Sequence, residues 1–289
     1  MFFVGLAAWF VFLWAAKTLL KIKDKDAAIV PFELNFPQLY LYQKYVLPAW
    51  QRGEPLALMV LKSRREGIST FFEGWFYHKL RFYPGQNILV AAHRDDTVDD
   101  MHQMAHRFHQ NLPPEMQPKT QRESKKELVY LPPLDGHMRV VAAGYIDISR
   151  GKTIQHALLS EAAYFPDLEN ILAGLSEAVH DRGRTSIVLE STANGASGSF
   201  YEMWENLGKK REMFEGARNF RRAFLPWFIH PDHELLVPRG WYPTDEETEM
   251  QKKYKLRTGQ LVWYRMKLQE MELKHPGRGT RVMHQEYPA

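Results

Sequence analysis

Residues 56–83 read LALMVLKSRREGISTFFEGWFYHKLRFY, and the fold turns on this stretch. Leu56–Leu61 is a continuous apolar run with the length and composition of a fully buried strand. A short polar segment with a single glycine, Gly67, follows it. Phe71, Trp75, Leu80 and Phe82 then recur near helical spacing, after Ser69 and Thr70. Strand, tight glycine turn and helix start together form a phosphate cradle, because free N–H groups and the helix dipole attract anions. The common phosphate-loop pattern G-x-x-x-x-G-K-[ST] is not met. Gly67 and Ser69 fall in register, but Ile68 stands at the lysine place and Lys62 at the first glycine place. A lysine moved to the front of the loop still reaches a β- or γ-phosphate through its long stem. The competing reading of this stretch alone is an ordinary turn carrying solvated charges.

A second stretch, Gln155–Asp167 (QHALLSEAAYFPD), supplies the chemistry. Ala157–Leu159 is a buried-strand fragment ending in Ser160 and Glu161. A carboxylate at the carboxyl end of a parallel strand lies at the crevice where open α/β sheets bind ligands. In a nucleotide hydrolase it would polarise the attacking water, and the preceding position usually carries a metal-holding aspartate. Here Ser160 stands there, so Mg2+ would lean on Ser69, the phosphates and Glu161. The plainer alternative is that Glu161 caps a helix. A further strand, Thr185–Glu190, ends in Ser191-Thr192-Ala193-Asn194-Gly195, small and amide side chains suited to sensing a γ-phosphate. Ser149-Arg150-Gly151-Lys152-Thr153 carries an arginine beside a glycine on an expected exposed turn. Gln38 precedes Tyr40, Tyr42 and Tyr45, and its amide matches both edge groups of an adenine. A helix cap is the equal alternative for Gln38.

Composition narrows the class. The chain has 289 residues, enough for one large or two modest domains, and a net charge of +4 that tilts towards polyanionic partners. It has no cysteine, which excludes disulfides and zinc–cysteine sites. The apolar segment Phe2–Ala16 runs only 15 residues, short of the ~20 that cross a bilayer, and lacks a basic leader region. A buried or interfacial helix ending near Leu20 is expected. Lys21–Asp26 reads as a charged turn, and Leu128–Leu131 with Met138–Ala142 as a hairpin or two neighbouring strands. Asp95, Asp96, Asp99 and Asp100 read as dipole-complementing acids at a helix start. His102 and His106 have the spacing of a metal pair, without a fourth obvious ligand.

Taken in order, PFELNFPQ, LKSRREGIST, SRGKT, HALLSEAAYFPD, VLESTANG and FLPWFIHP resemble the ATPase domain of the large terminase subunit of tailed bacteriophages, from about Lys21 to the final HQEYPA. The resemblance implies an α/β fold of the P-loop NTPase (ASCE) type, a mostly parallel central sheet flanked by helices. It implies that Lys62, Ser63, Arg64, Arg65, Glu66, Gly67, Ile68, Ser69 and Thr70 hold ATP, with Ser69 near Mg2+ and Gln38 reading adenine. Glu161 would be the catalytic carboxylate, and Ser191, Thr192, Ala193, Asn194 and Gly195 the coupling motif. Arg64 or Arg150 would stabilise transition-state charge, and Ser160 departs from the family's usual acid. The domain expectation is an N-terminal helical segment 1–30, an ATPase domain 31–232 and a linker or helical tail 233–289. The family's nuclease domain would begin about where this chain stops, so no nuclease activity is expected of it. Implied partners are double-stranded DNA, a portal protein, the small terminase subunit and further copies in a ring, in the host bacterial cytoplasm. A helicase-like ATPase and a membrane-anchored binding protein are the alternatives.

Overall fold

The computed structural model describes residues 11–124, 126–144, 153–209 and 219–289. Its centre is an eight-stranded sheet. In chain order the strands are β3 (Leu56–Lys62), β4 (Asn87–Ala92), β5 (Thr120–Ser124), β6 (Glu127–Tyr130), β7 (His137–Ala142), β8 (His156–Ser160), β9 (Ser186–Ser191) and β10 (Arg221–Leu225). Their spatial order is β10-β3-β9-β8-β4-β7-β6-β5. All pairings from β10 to β7 are parallel, whereas β5 and β6 pair antiparallel at one edge. The apolar runs Leu56–Leu61, Leu128–Leu131, Met138–Ala142, Ala157–Leu159 and Thr185–Glu190 are all strands, each with ends within a residue or two of the expected limits.

The parallel strands are covered on both faces, which is why they read as unbroken apolar runs. Leu56, Leu58 and Val60 of β3 pack with the helices α4 (Ile68–Phe82) and α5 (Asp95–Gln110). Met59 of the same strand faces the opposite cluster with α6 (Leu168–Ala178) and Phe200 of α7 (Ser199–Lys209). The first face also buries α2 (Phe36–Leu41), a π-helical turn Tyr42–Val46 and α3 (Leu47–Arg52). Residues 11–18 form helix α1, whose Phe12, Ala15 and Ala16 are fully buried. Phe12 meets the rings of Tyr42 and Trp75 at centroid distances of 5.4 and 4.8 Å. Among the described residues no helix is long and apolar enough to cross a membrane.

Four local expectations need correction. The charged segment after Leu20 contains a strand, β1 (Lys21–Lys23), paired antiparallel with β2 (Ile29–Pro31). The edge strand β5 was not expected, because four of its five residues are exposed and polar and it carries no apolar alternation. The tail, expected only as a linker or helical stretch over 233–289, divides into three helices, α8 (Asp245–Tyr254), α9 (Thr258–Lys274) and α10 (Gly279–Glu286). Lys255, at φ 55°, adopts the left-handed conformation that ends α8. Finally, His102 and His106 touch through their Nε2 atoms at 3.1 Å, while His106 Nδ1 meets Glu123 at 2.6 Å. The pair is therefore taken up by its own neighbours.

Candidate active site

The carboxyl ends of β3, β8, β9 and β4 lie level along one edge of the sheet. Leu61 of β3 is opposite Ser191, Ser160 opposite Glu190, and Ala92 opposite Ser160. Register alone therefore assembles residues that lie some 130 positions apart in the chain. Beyond β3 the chain turns through Arg65 and Gly67, both left-handed at φ 65° and 72°, and Gly67 caps α4. A Cβ on Gly67 would lie 2.6 Å from Gln38 Nε2, and the φ itself disfavours any side chain. Gln38 donates from that Nε2 to the Gly67 carbonyl at 2.7 Å, and its Oε1 accepts from the Asn35 amide. Asn35 in turn donates to the Glu66 carbonyl at 3.1 Å. The capping box of α2 thus braces the turn between β3 and α4, and both ends of the Gln38 amide are engaged internally.

Lys62 is buried at the mouth of this loop, with its ammonium 3.0 Å from Glu161 and 3.2 Å from Glu190. Glu161 reaches back to it from a left-handed backbone at φ 58°, a conformation costing a non-glycine residue on the order of 1–2 kcal/mol. Its second oxygen accepts from the Ser191 hydroxyl and the Thr192 amide, each at 3.3 Å. Burial pushes the Glu161 carboxyl up, but Lys62 and those two donors outweigh it and hold the group below the usual carboxylate range. Burial likewise disfavours the Lys62 ammonium, and the two glutamates overcome this and raise its pKa. Glu66 has the opposite fate. It is fully buried, neither oxygen has a hydrogen-bond partner, and desolvation pushes its carboxyl up to about 9 against the pull of Lys62.

The expected metal-holding hydroxyls do meet. Ser69 and Ser160 Oγ are 3.4 Å apart, and both donate to Glu190 Oε1, at 2.7 and 2.5 Å. Two hydroxyls converging on one carboxylate oxygen, with Glu161 on the far side of Lys62, are hard oxygen donors, a set that fits Mg2+ completed by phosphate oxygens and water. Among the described residues no three His, Cys, Asp or Glu side chains form a cation site by themselves. Sequence reasoning missed Glu190, although it had the same signature as Glu161, an acid at the carboxyl end of a buried strand. It also missed His93 and Arg94 at the end of β4, which line the cleft.

That cleft, of about 420 Å³, is bounded by Arg64, Ser69, Arg94, Glu161, Thr192 and Glu286 among others. Its outer wall comes from the end of the chain. Arg64 donates from its amide to the Glu286 carbonyl at 2.8 Å and from its guanidinium to the Glu286 carboxylate at 2.9 Å. The segment after β9, expected to couple hydrolysis to the rest of the domain, is similarly tied: Ala193 N–H donates to Gln285 O, and Asn194 Nδ2 donates to Ala163 O. Gly195 follows at φ 77°. Ser63 is buried within the loop, and Ile68 packs into the core below it. Thr70 lies in the first turn of α4. Arg150 lies outside the described residues.

No protein-family model matches the sequence, and no curated protein matches it either. Similarity appears at the level of structure. The ATPase domain of the large terminase of Thermus phage P74-26 superposes with a TM-score of 0.55 at 15% identity, covering 97% of this chain and 96% of that one. The large terminase of bacteriophage HK97 superposes with a TM-score of 0.62 at 13% identity, covering 96% of this chain. This chain spans 54% of the HK97 protein's length. With its parallel sheet, its glycine turn after β3 and its strand-end glutamate, the chain has the fold of the ATPase domain of bacteriophage large terminases.

Proposed function

We propose that this protein is an ATP hydrolase that drives double-stranded viral DNA into a procapsid, the ATPase part of a large terminase. The observation that supports this most is the meeting of Lys62, Ser69, Ser160 and Glu161 at one strand edge, directly beyond a glycine turn that opens a helix. In this reading the α4 N-terminus and Lys62 hold the triphosphate. Mg2+, when bound, would neutralise developing charge on the phosphates and would be held by the hydroxyl and carboxyl oxygens around Ser69. Glu161 orients a water and takes its proton, once Lys62 leaves it for a phosphate. Ser191 and Thr192, which hold the second oxygen of Glu161, report the state of the base to the coupling segment.

Further parts of the reading extend from the resemblance. Residues 31–232 act as the ATPase domain and 233–289 as the linker region. Gln38 reads adenine by exchanging its bonds to Asn35 and Gly67. The working form is a ring on a portal, aided by a small terminase subunit, in the host cytoplasm. The test is magnesium-dependent ATP hydrolysis by the purified chain, measured with and without a portal and DNA. Stimulation by the portal with DNA is expected. An intact, folded chain with no hydrolysis under any of these conditions would overturn the reading.

A further inference from the structure

Ser160 leaves the site without the acid that usually precedes the catalytic glutamate, and the neighbouring strand fills the gap. Glu190 is the direct cross-strand partner of Ser160, from β9 to β8, and is fully buried. Its Oε1 accepts from the hydroxyls of Ser69 and Ser160 at 2.7 and 2.5 Å. Its Oε2 makes no hydrogen bond and lies 3.2 Å from the Lys62 ammonium.

A role as structural counterion to Lys62 does not account for this arrangement. Glu161 already pairs with that ammonium at 3.0 Å. Glu190 instead turns its Oε1 to two hydroxyls, which pairing with Lys62 does not require, and a divalent cation brought in with the nucleotide is the partner that such a set of oxygens suits. The two hydroxyls that Glu190 holds are those of the phosphate loop and of the missing acid's own position, so the carboxyl stands where that acid's oxygens would be needed. We infer that Glu190 is the metal-organising acid of this site, moved from the end of β8 to the facing position on β9. Ser160 then serves as the hydroxyl that orients it.

The inference rests on the ATPase reading, and its test separates the two. Affinity for a non-hydrolysable ATP analogue is measured by calorimetry with and without Mg2+, and Mn2+ binding to the protein–nucleotide complex by electron paramagnetic resonance. Wild type should bind the analogue more tightly with Mg2+. Glu190→Gln, which keeps shape and hydrogen bonding, should lose about 10–100-fold in metal affinity, the range for supporting groups at metal sites. Its metal-free nucleotide affinity should not fall, since no phosphate contact is removed and a negative charge beside Lys62 is. The double variant Ser160→Asp with Glu190→Gln returns the acid to β8 and should regain most of the metal dependence. If Glu190→Gln alone fails to fold, the double variant carries the test, because it restores the formal charge one strand away. Wild-type metal dependence in Glu190→Gln, or none in a folded double variant, overturns the assignment alone. A wild-type chain that binds no nucleotide overturns the ATPase reading together with it.

Discussion

Lys62 sits between two acidic side chains, and a single truncation there separates binding from stability. Lys62→Ala should weaken ATP binding and lower turnover, and should also destabilise the nucleotide-free chain by about 3–5 kcal/mol, since it leaves buried acids unpaired. Unchanged melting and unchanged nucleotide affinity would reduce Lys62 to a bystander. Glu161→Gln keeps the shape but gives up one acceptor, since an amide nitrogen cannot accept from Lys62 or from Ser191 and Thr192. It also removes the proposed base, so binding should persist while hydrolysis falls by about 10² or more. Normal turnover in that variant would move the base elsewhere. The pH dependence of stability divides among the same residues. Glu161, with a lowered pKa, contributes above the unfolded-state value of about 4.3 and loses its contribution as acid protonates it. Lys62, with a raised pKa, contributes throughout neutral pH and loses its contribution only in strong alkali. Glu66 works the other way. Its folded-state pKa of about 9 means the folded chain holds a proton that the unfolded chain has released, so stability falls as pH rises between about 4.3 and 9. Glu66→Gln removes this slope. Relative to wild type it should gain on the order of 1–4 kcal/mol between pH 5 and pH 8 in urea unfolding. An equal difference at both pH values would refute the buried-neutral assignment.

Among the elements, α4 packs closely at its glycine Gly74. A Cβ on Gly74 would lie 2.7 Å from the ring of buried Phe32. Alanine gains up to about 1 kcal/mol of helix propensity over glycine, whereas overpacking costs about 1–3 kcal/mol, so the clash wins. Gly74→Ala should therefore lower stability by about 1 kcal/mol, read from the denaturation midpoint. A stabilised variant would show that Phe32 yields freely. What the sequence reveals of such elements follows from burial. β3, β4, β8 and β9 are enclosed on both faces and announce themselves as apolar runs, so the sheet and the places of Lys62, Ser69 and Glu161 were legible. β5 faces solvent and left no pattern. The partnership of Ser160 with Glu190 was hidden for a different reason, since it depends on which strands are neighbours and in what register. Each residue stands at the end of an apolar run in the sequence, but that the two meet does not show there. Gln38 shows a third limit: its residue type allows an adenine contact and a helix cap alike, and only the packing against Gly67 reveals the bond it makes.

At the scale of the whole molecule, the proposed ring gives Arg150 its test. If a subunit supplies this arginine to its neighbour's site, Arg150→Ala and Glu161→Gln should each be nearly inactive, and their mixture should regain part of the activity. An arginine in trans contributes about 10³–10⁵ in rate in other phosphoryl-transfer systems, so the recovered fraction should be easy to measure. Mixtures as inactive as either variant, with assembly verified, would remove Arg150 from the role. Arg64 lines its own chain's cleft, so an arginine acting from there could not complement in this way. The last helix, α10, has a wider consequence. It joins the phosphate loop through Glu286 O and the coupling segment through Gln285 O, and both bonds run from backbone to backbone. Behind it, Met283 and Tyr287 are clamped in the cluster of Trp227 and Trp263, so the tail resists bending. A loop that closes on a phosphate and carries Arg64 with it would therefore turn the whole tail, and a coupling segment that let go of Gln285 would free it. Both bonds join peptide groups and so hold whatever side chains stand at these positions, and in the proposed motor α10 would sit as a clutch plate between the site and the tail.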